Sequence, residues 1–362
     1  MITRRVLASV LYNSADISTD INQYLKSISY RDAMSGQADD LQLSLEDRAG
    51  IWKAEWMPEK GAVLDVSIVT LFWKSAYDLS ETLRLGLFEI DEITSSGYPS
   101  EVGLKAVSVP FNNQLRGEVH TRSWEKAELK TIANDIATAA NLKLFYDTEE
   151  NPVLDHCEQS EQSDLSFLLQ LCNDNGLALK VNDGQIIIFD EAKYEAQEAG
   201  ITIVKPGTAY PPPNQEEAEN GTESEEDTMI YLPSILSYSL TSKLRDIYAA
   251  CHVKYQSSDT KDVIEATFSA PGKTGPTLQV REQVGSVAEA ERLAKKKLRE
   301  QNKEEVTGSF SLPGCLRLVA GITVNLLGFG VYDGKYIITE ASHDIGTGYT
   351  SSINVRRCLD GY

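Results

Sequence analysis

Ser163-Asp164-Leu165-Ser166-Phe167-Leu168-Leu169-Gln170-Leu171-Cys172-Asn173-Asp174-Asn175-Gly176, followed directly by Leu177-Ala178-Leu179-Lys180-Val181-Asn182-Asp183-Gly184-Gln185-Ile186-Ile187-Ile188-Phe189, changes period part-way along. Leu165, Leu168, Leu169 and Cys172 recur at helical spacing, with Ser163 placed to cap the first turn and Gly176 to stop the last. Leu177–Val181 and Gln185–Phe189 are instead short apolar runs around Asn182-Asp183-Gly184, a strong hairpin signal. A helix followed by a tight hairpin predicts a small α+β unit.

The same unit extends upstream. Leu129, Ile132, Ala133, Ile136, Ala137 and Ala140 fall on one helical face, and Ser123 is the candidate cap. We therefore expect an α+β middle domain over 120–200. Before it, over 1–119, alternating stretches such as Leu41-Gln42-Leu43-Ser44-Leu45, Val63 to Phe72 and Leu83 to Ile90 read as antiparallel strands. Ala62–Trp73 and Leu83–Glu92 are expected to form one long hairpin. After it comes a break at 201–229: Pro211 to Pro213, then Glu216, Glu217, Glu219, Glu223, Glu225, Glu226 and Asp227 without a basic residue. Such a stretch buries too little apolar area to offset its ordering entropy, so a loop or linker is expected. Deleting Asn214–Thr228 is accordingly expected to leave the melting transition in place; its collapse in a thermal scan would contradict this. From 230 to 362 strand signals return, interrupted by a basic helix that opens with Ser286 and Glu289 as a capping box and runs to about Gln301. Its Lys295, Lys296, Lys297 and Arg299 offer a phosphate or an acidic partner a docking face, but read best as a solvated face. The fold class is α+β and β-rich, with a β unit on each side of the middle domain.

Composition narrows the function. The net charge of −20 over 362 residues repels phosphate backbones, which argues against sequence-specific nucleic-acid binding; it also suits a wall past which DNA slides, although a solvated acidic surface that aids solubility is the commoner reading. Five scattered cysteines, with no C-x-x-C pair, write neither a disulfide framework nor a zinc cage. The N-terminal apolar run Val6–Leu11 is too short for a secretion signal, and no run of roughly 18 apolar residues predicts a membrane segment. Synthesis and assembly in a bacterial cytoplasm are expected.

Motifs for chemistry are incomplete. Gly272-Lys273-Thr274 ends like a phosphate loop, but Thr267 stands where the earlier glycine is required and Pro276 interrupts the following helix. Gly328-Phe329-Gly330 lacks the third glycine of a dinucleotide fingerprint, Asp333 standing there. His120, His156, His252 and His343 show no metal-binding spacing. Asp155-His156-Cys157 places a thiol system's residue types side by side, where chain neighbours point apart. Trp52, Trp56 and Trp73 suit core or interface anchors better than a sugar platform. We therefore assign no catalytic, cofactor-binding or metal residues, and no cofactor.

Two segments resemble a known family. Gln162 to Cys172, leading through Gly176-Leu177 to Ile186-Ile187-Ile188-Phe189, is similar to the middle signature of the late control protein D family of phage tail baseplate hubs, related to the hub part of type VI secretion spikes. Ala320-Gly321-Ile322-Thr323-Val324, Gly328-Phe329-Gly330, Asp333-Gly334-Lys335-Tyr336-Ile337-Ile338, His343 and Gly348-Tyr349-Thr350 resemble that family's closing β unit. The resemblance implies two antiparallel β-barrel-like tube domains, 1–119 and 230–362. It implies a homotrimeric ring joining a six-fold tail tube to a three-fold central spike, in a phage tail or a bacteriocin-like particle. The implied partners are the chain itself, the spike, the tube or its initiator, the tape-measure end and other baseplate proteins. It gives His343 a packing or hydrogen-bonding role, not a chemical one. A baseplate-associated cell-wall hydrolase and a carbohydrate-binding module are the competing readings.

Overall fold

The computed structural model describes residues 3–73, 80–108, 114–210, 229–256 and 263–362. Most of the acidic segment therefore lies outside the described residues. Ile201–Val204, at its start, is a buried strand parallel to both Ile230–Leu232 and Thr323–Leu327.

The β units at the two ends of the chain share one 14-stranded sheet. Val63–Leu71 pairs antiparallel with Glu81–Ser96, the long hairpin expected from the sequence. The strand joining the ends is Leu25–Ala33, with Asp40–Glu46 on one side and Gly334–Ile345 on the other, Ile28 opposite Ile345 and Ala33 opposite Glu340. Among the described residues no sheet closes on itself. Alternation puts Leu41, Leu43 and Leu45, with Val66, Ile68, Val102 and Leu104, into one core. Ile203, Phe310, Val324, Tyr336, Ile353 and Val355 make the core of the other end.

In the middle unit, Asp164–Asp174 is helical as expected, and Ser163 Oγ accepts from Ser166 N at 3.3 Å. Gly176, at φ 67°, ends it: Leu177 N reaches back to Cys172 O at 2.9 Å. Asp183 and Gly184 both take positive φ between Ala178–Asn182 and Gln185–Phe189, the geometry a two-residue hairpin needs. The expected cap Ser123 is a correction. It lies in the strand Val119–Glu128, opposite Glu158 in Val153–Ser163, and the helix Leu129–Ala139 starts instead from Glu128. Alternation across 119–128 outweighs the cap signal because pairing satisfies the backbone of every second residue.

Within 230–362 a smaller sheet, Ala250–Gln256 between Val263–Ser269 and Thr277–Val280, packs on the helix Val287–Asn302 around Cys251, Val253, Ala290, Ala294 and Leu298. Ser286 Oγ accepts from Glu289 N, as the capping box predicts. The helix's basic face is not simply solvated. Lys296 binds Glu150 and the Asn175 carbonyl, Lys297 meets Glu282 at 2.8 Å, and Arg299 meets Glu195 at 2.5 Å. Glu150 and Glu195 belong to the chain's own middle unit, which the long basic stems of Lys296 and Arg299 reach across the seam, while Glu282 lies just before the helix itself.

A buried triad ties three parts of the chain together. Lys180, on the hairpin, bonds to Asp32 and lies 3.2 Å from Asp39, while Asp32 Oδ2 accepts from Ala320 N at 2.8 Å. Burial would depress the Lys180 ammonium, but the two carboxylates outweigh it and hold its pKa above the ordinary range. Burial pushes Asp39 up to about 6 against the pull of Lys180. A carboxyl with a raised folded-state pKa contributes stability that is complete below its unfolded value, near 4, and lost as pH rises through about 6. The melting temperature of Asp39→Asn should therefore lack this fall. Its gap below wild type is expected to narrow between pH 4.5 and 7, and a pH-independent gap would refute the assignment.

Candidate functional site

The motifs weighed for chemistry separate in space. On Val153–Ser163, Cys157 faces inward and burial raises its thiol pKa, whereas His156 faces out to Glu125 at 2.7 Å. A buried thiol held in its neutral form is a poor nucleophile. Gly272 sits in a turn at φ 68°, and Lys273 pairs with Glu305. Gly328 turns between Thr323–Leu327 and the single 3-10 turn Gly330–Tyr332, at φ 91° and with a Cβ position that Thr208 already fills. Only glycine fits both conditions. His343 is fully buried; Nε2 lies 3.0 Å from the Leu318 carbonyl, and Nδ1 lies 2.7 Å from Tyr349 Oη and 3.2 Å from Ser351 Oγ. Burial lowers its pKa, so it is a neutral, hydrogen-bonded core residue. Trp73 is apart from the other tryptophans and donates to the Gly314 carbonyl at 2.7 Å. Trp52 and Trp56 pack edge-on at 5.5 Å, each also against Tyr24.

What the fold does assemble is a surface. Eight adjacent strands run Ser237–Ser242, Val306–Pro313, Tyr349–Arg357, Gly334–Ile345, Leu25–Ala33, Asp40–Glu46, Glu101–Val107 and Glu81–Ser96. Their residues facing away from the core are mostly small and polar. Ser237, Ser311, Ser352 and Ser342 lie opposite one another in turn. On the other half, Ser29 lies opposite Gln42, Ser27 opposite Ser44, Ser44 opposite Gly103 and Gly103 opposite Thr94. The face has low relief, with two shallow depressions of about 310 and 280 Å³. Several of its charges are paired locally, Arg31 with Glu340 and Lys26 with Glu101, and Ser29 Oγ donates to the Asp344 carboxylate at 2.6 Å. Such a face offers phosphate no basic cluster and protein no large apolar anchor. No sequence motif marks it, although serine and threonine at every second position in 237–241 and 307–311 is its local trace.

Two of the edges of the 14-stranded sheet differ. The Arg5–Tyr12 edge is covered by the helix Ser18–Tyr24: Ala8 N donates to Asn22 Oδ1, Asn22 Nδ2 donates to Ala8 O, and Val10 N donates to Ser18 Oγ. Among the described residues Ser237–Ser242 pairs only with Val306–Pro313. Leu236 and Tyr238 are exposed along it.

The family model described as the phage tail baseplate hub (GPD) matches residues 106–349, about two thirds of the chain. The chain belongs to the phage tail baseplate hub family. Probable baseplate hub proteins of Escherichia phages 186 and P2 are each 30% identical to it, over 178 and 184 residues respectively. Those alignments take in 49% and 50% of this chain but only 43% and 44% of the phage proteins, so the chain matches less than half the length of these relatives. Among solved structures, a tail protein from Neisseria meningitidis MC58 superposes with TM-score 0.68 at 12% identity, covering 98% of this chain and 97% of the other. The 43 kDa tail protein of prophage MuSo2 from Shewanella oneidensis gives 0.66 at 12%, covering 98% and 100%. An Escherichia coli component of the type VI secretion system gives 0.55 at 11%, covering 94% and 75%. At these identities the structures show a shared fold. As a hub family member the chain is a component of a phage tail or related particle. Among the described residues no helix is long and apolar enough to cross a membrane.

Proposed function

We propose that this hub works as a trimeric ring joining the six-fold tail tube to the three-fold central spike. In that ring, residues 1–119 and 230–362 supply two barrel-like tube segments per copy, 120–200 supplies the α+β unit beside them, and 201–229 supplies the connection, opening with the buried strand Ile201–Val204. The observation that carries the reading is the face rich in short hydroxyls, which spans eight strands drawn from both ends of the chain and is crossed at their join by the Arg31–Glu340 pair. Three copies present six such segments, matching a six-fold neighbour, and a closed ring covers strand edges that otherwise invite aggregation. With a net charge of −20, a wall of short hydroxyls lets a polyanion pass without adhering. The hub acts through protein contacts alone, with itself, the spike, the tube or its initiator, the tape-measure end and other baseplate proteins, after assembly in the bacterial cytoplasm.

Light scattering over a concentration series tests the ring. A mass of three times the 40.0 kDa chain is expected; a monomer at every concentration, and again with the spike present, overturns it. A cleared zone on a bacterial cell-wall zymogram would overturn the non-enzymatic reading.

A further inference from the structure

A cleft of about 500 Å³ opens between Tyr12, Ile17, Trp52, Trp56, Met57 and Pro58. Trp56 is 41% and Met57 49% exposed, an uncommon outlay of large apolar surface beside a concavity. Its lining includes three carboxylates, Asp20, Glu55 and Glu59, and no cation. None of the three ion-pairs with another described residue. Trp52 is buried and backs the cleft, its indole Nε1 shielded from solvent. The site therefore asks for a polypeptide with an apolar anchor flanked by basic residues.

The chain itself carries such a segment. Between Ser237–Ser242 and Ala250–Gln256, Lys243-Leu244-Arg245 projects on a turn, Leu244 being 91% exposed, with Asp246 at φ 64°. The base of the projection is fixed at both ends: Lys243 N donates to the Glu305 carbonyl at 2.8 Å, and Tyr248 N to Asn302 Oδ1 at 2.9 Å. The partners of its basic groups are weak, Lys243 lying 4.0 Å from Glu304 and Arg245 beside its exposed neighbour Asp246.

We propose that the Lys243-Leu244-Arg245 knob of one copy seats in the Trp52/Trp56 cleft of a second copy. Leu244 packs on Trp56 and Met57, and Lys243 and Arg245 face Asp20, Glu55 and Glu59. Knob and cleft are different surfaces, so the contact is head-to-tail and propagates around a ring. The proposal rests on the ring reading for its stoichiometry, but the contact itself is testable without it.

The test uses two variants of the full chain that each disable one half, Leu244→Asp and Trp56→Ala, followed by light scattering. Each alone is expected to weaken self-association by roughly 30-fold or more. A one-to-one mixture should give heterodimers, because one partner retains its knob and the other its cleft. Charge exchange provides a second route: Glu55→Lys and Arg245→Glu should each impair assembly, and mixing them should restore both contacts between unlike chains, the native Arg–Glu one and its charge-reversed counterpart. If both single variants keep the wild-type mass, the contact is overturned while the ring stands. If the wild type is monomeric, the ring reading fails in solution and a synthetic peptide of residues 240–248 decides the contact. Quenching of tryptophan fluorescence that is lost in Trp56→Ala supports it, and no binding at millimolar peptide overturns it.

Discussion

Lys180→Met is expected to lower the unfolding free energy by about 3–5 kcal/mol at pH 7.5, the usual cost of removing one member of a buried ion cluster. Methionine fills nearly the same volume, so the loss is electrostatic. Asp32 and Asp39, both buried, would face each other without the ammonium between them. The Ala320 N–H and Ala33 N–H would still donate to them, but two amide donors do not offset two buried charges. Since Asp39 already takes a proton near pH 6, the loss should shrink at pH 5, where one carboxyl is neutral in the folded chain. Combining Lys180→Met with Asp39→Asn should recover part of the stability, a non-additivity readable by a denaturant double-mutant cycle. A loss below about 1 kcal/mol in urea unfolding at pH 7.5 would mean that water reaches the triad and that the three parts of the chain are not joined there.

The triad also shows where reading the sequence stops. Period changes are local, so the Ser163 cap, the helix Asp164–Asp174 and the Asp183-Gly184 turn follow from neighbouring residues, as do most strands. Nothing local tells Leu25–Ala33 that its partner is Gly334–Ile345, more than 300 residues away, or that Lys180 faces Asp32 and not solvent. The small-hydroxyl face is similar: serine at alternate positions is visible in single strands, but only the strand order turns those rows into one surface. Two local signals misled for one physical reason. Ser123 is a good cap, and Lys295 to Arg299 suits a wet face, yet strand pairing claims the first and nearby acidic side chains claim most of the second. In both, tertiary contact outweighs a preference worth about 1 kcal/mol. The exposed Leu244 and the half-exposed Trp56 are legible only as composition; their exposure comes from the folded surface.

Glu195→Leu is the second large effect expected, again about 3–5 kcal/mol, and it tests a different seam. Glu195, on the short helix Glu191–Ala196, accepts from Arg299 and Arg356 at 2.5 Å each, and its second oxygen accepts from Leu359 N at 3.0 Å. Arg356 is 1% exposed and is also held by Glu191 at 2.8 Å. Burial would lower its pKa, but the two glutamates outweigh that and keep the guanidinium charged. Leucine at 195 leaves two guanidinium groups, always charged, without their shared counterion. Glu195→Gln keeps the shape and an acceptor and should cost less, so the difference between the two variants isolates charge from packing. The exposed Lys243–Glu304 pair provides the contrast, at 4.0 Å with both side chains about half exposed; Glu304→Gln should change stability by no more than about 0.5 kcal/mol. Arg299 belongs to the helix of the small inserted sheet, and Arg356 to the last strand of the large one. Loss of Glu195 should therefore loosen the inserted unit first. Hydrogen exchange in Val287–Asn302 is expected to rise ahead of exchange in Asp40–Glu46, and uniform loosening would instead place the weak point in the shared core.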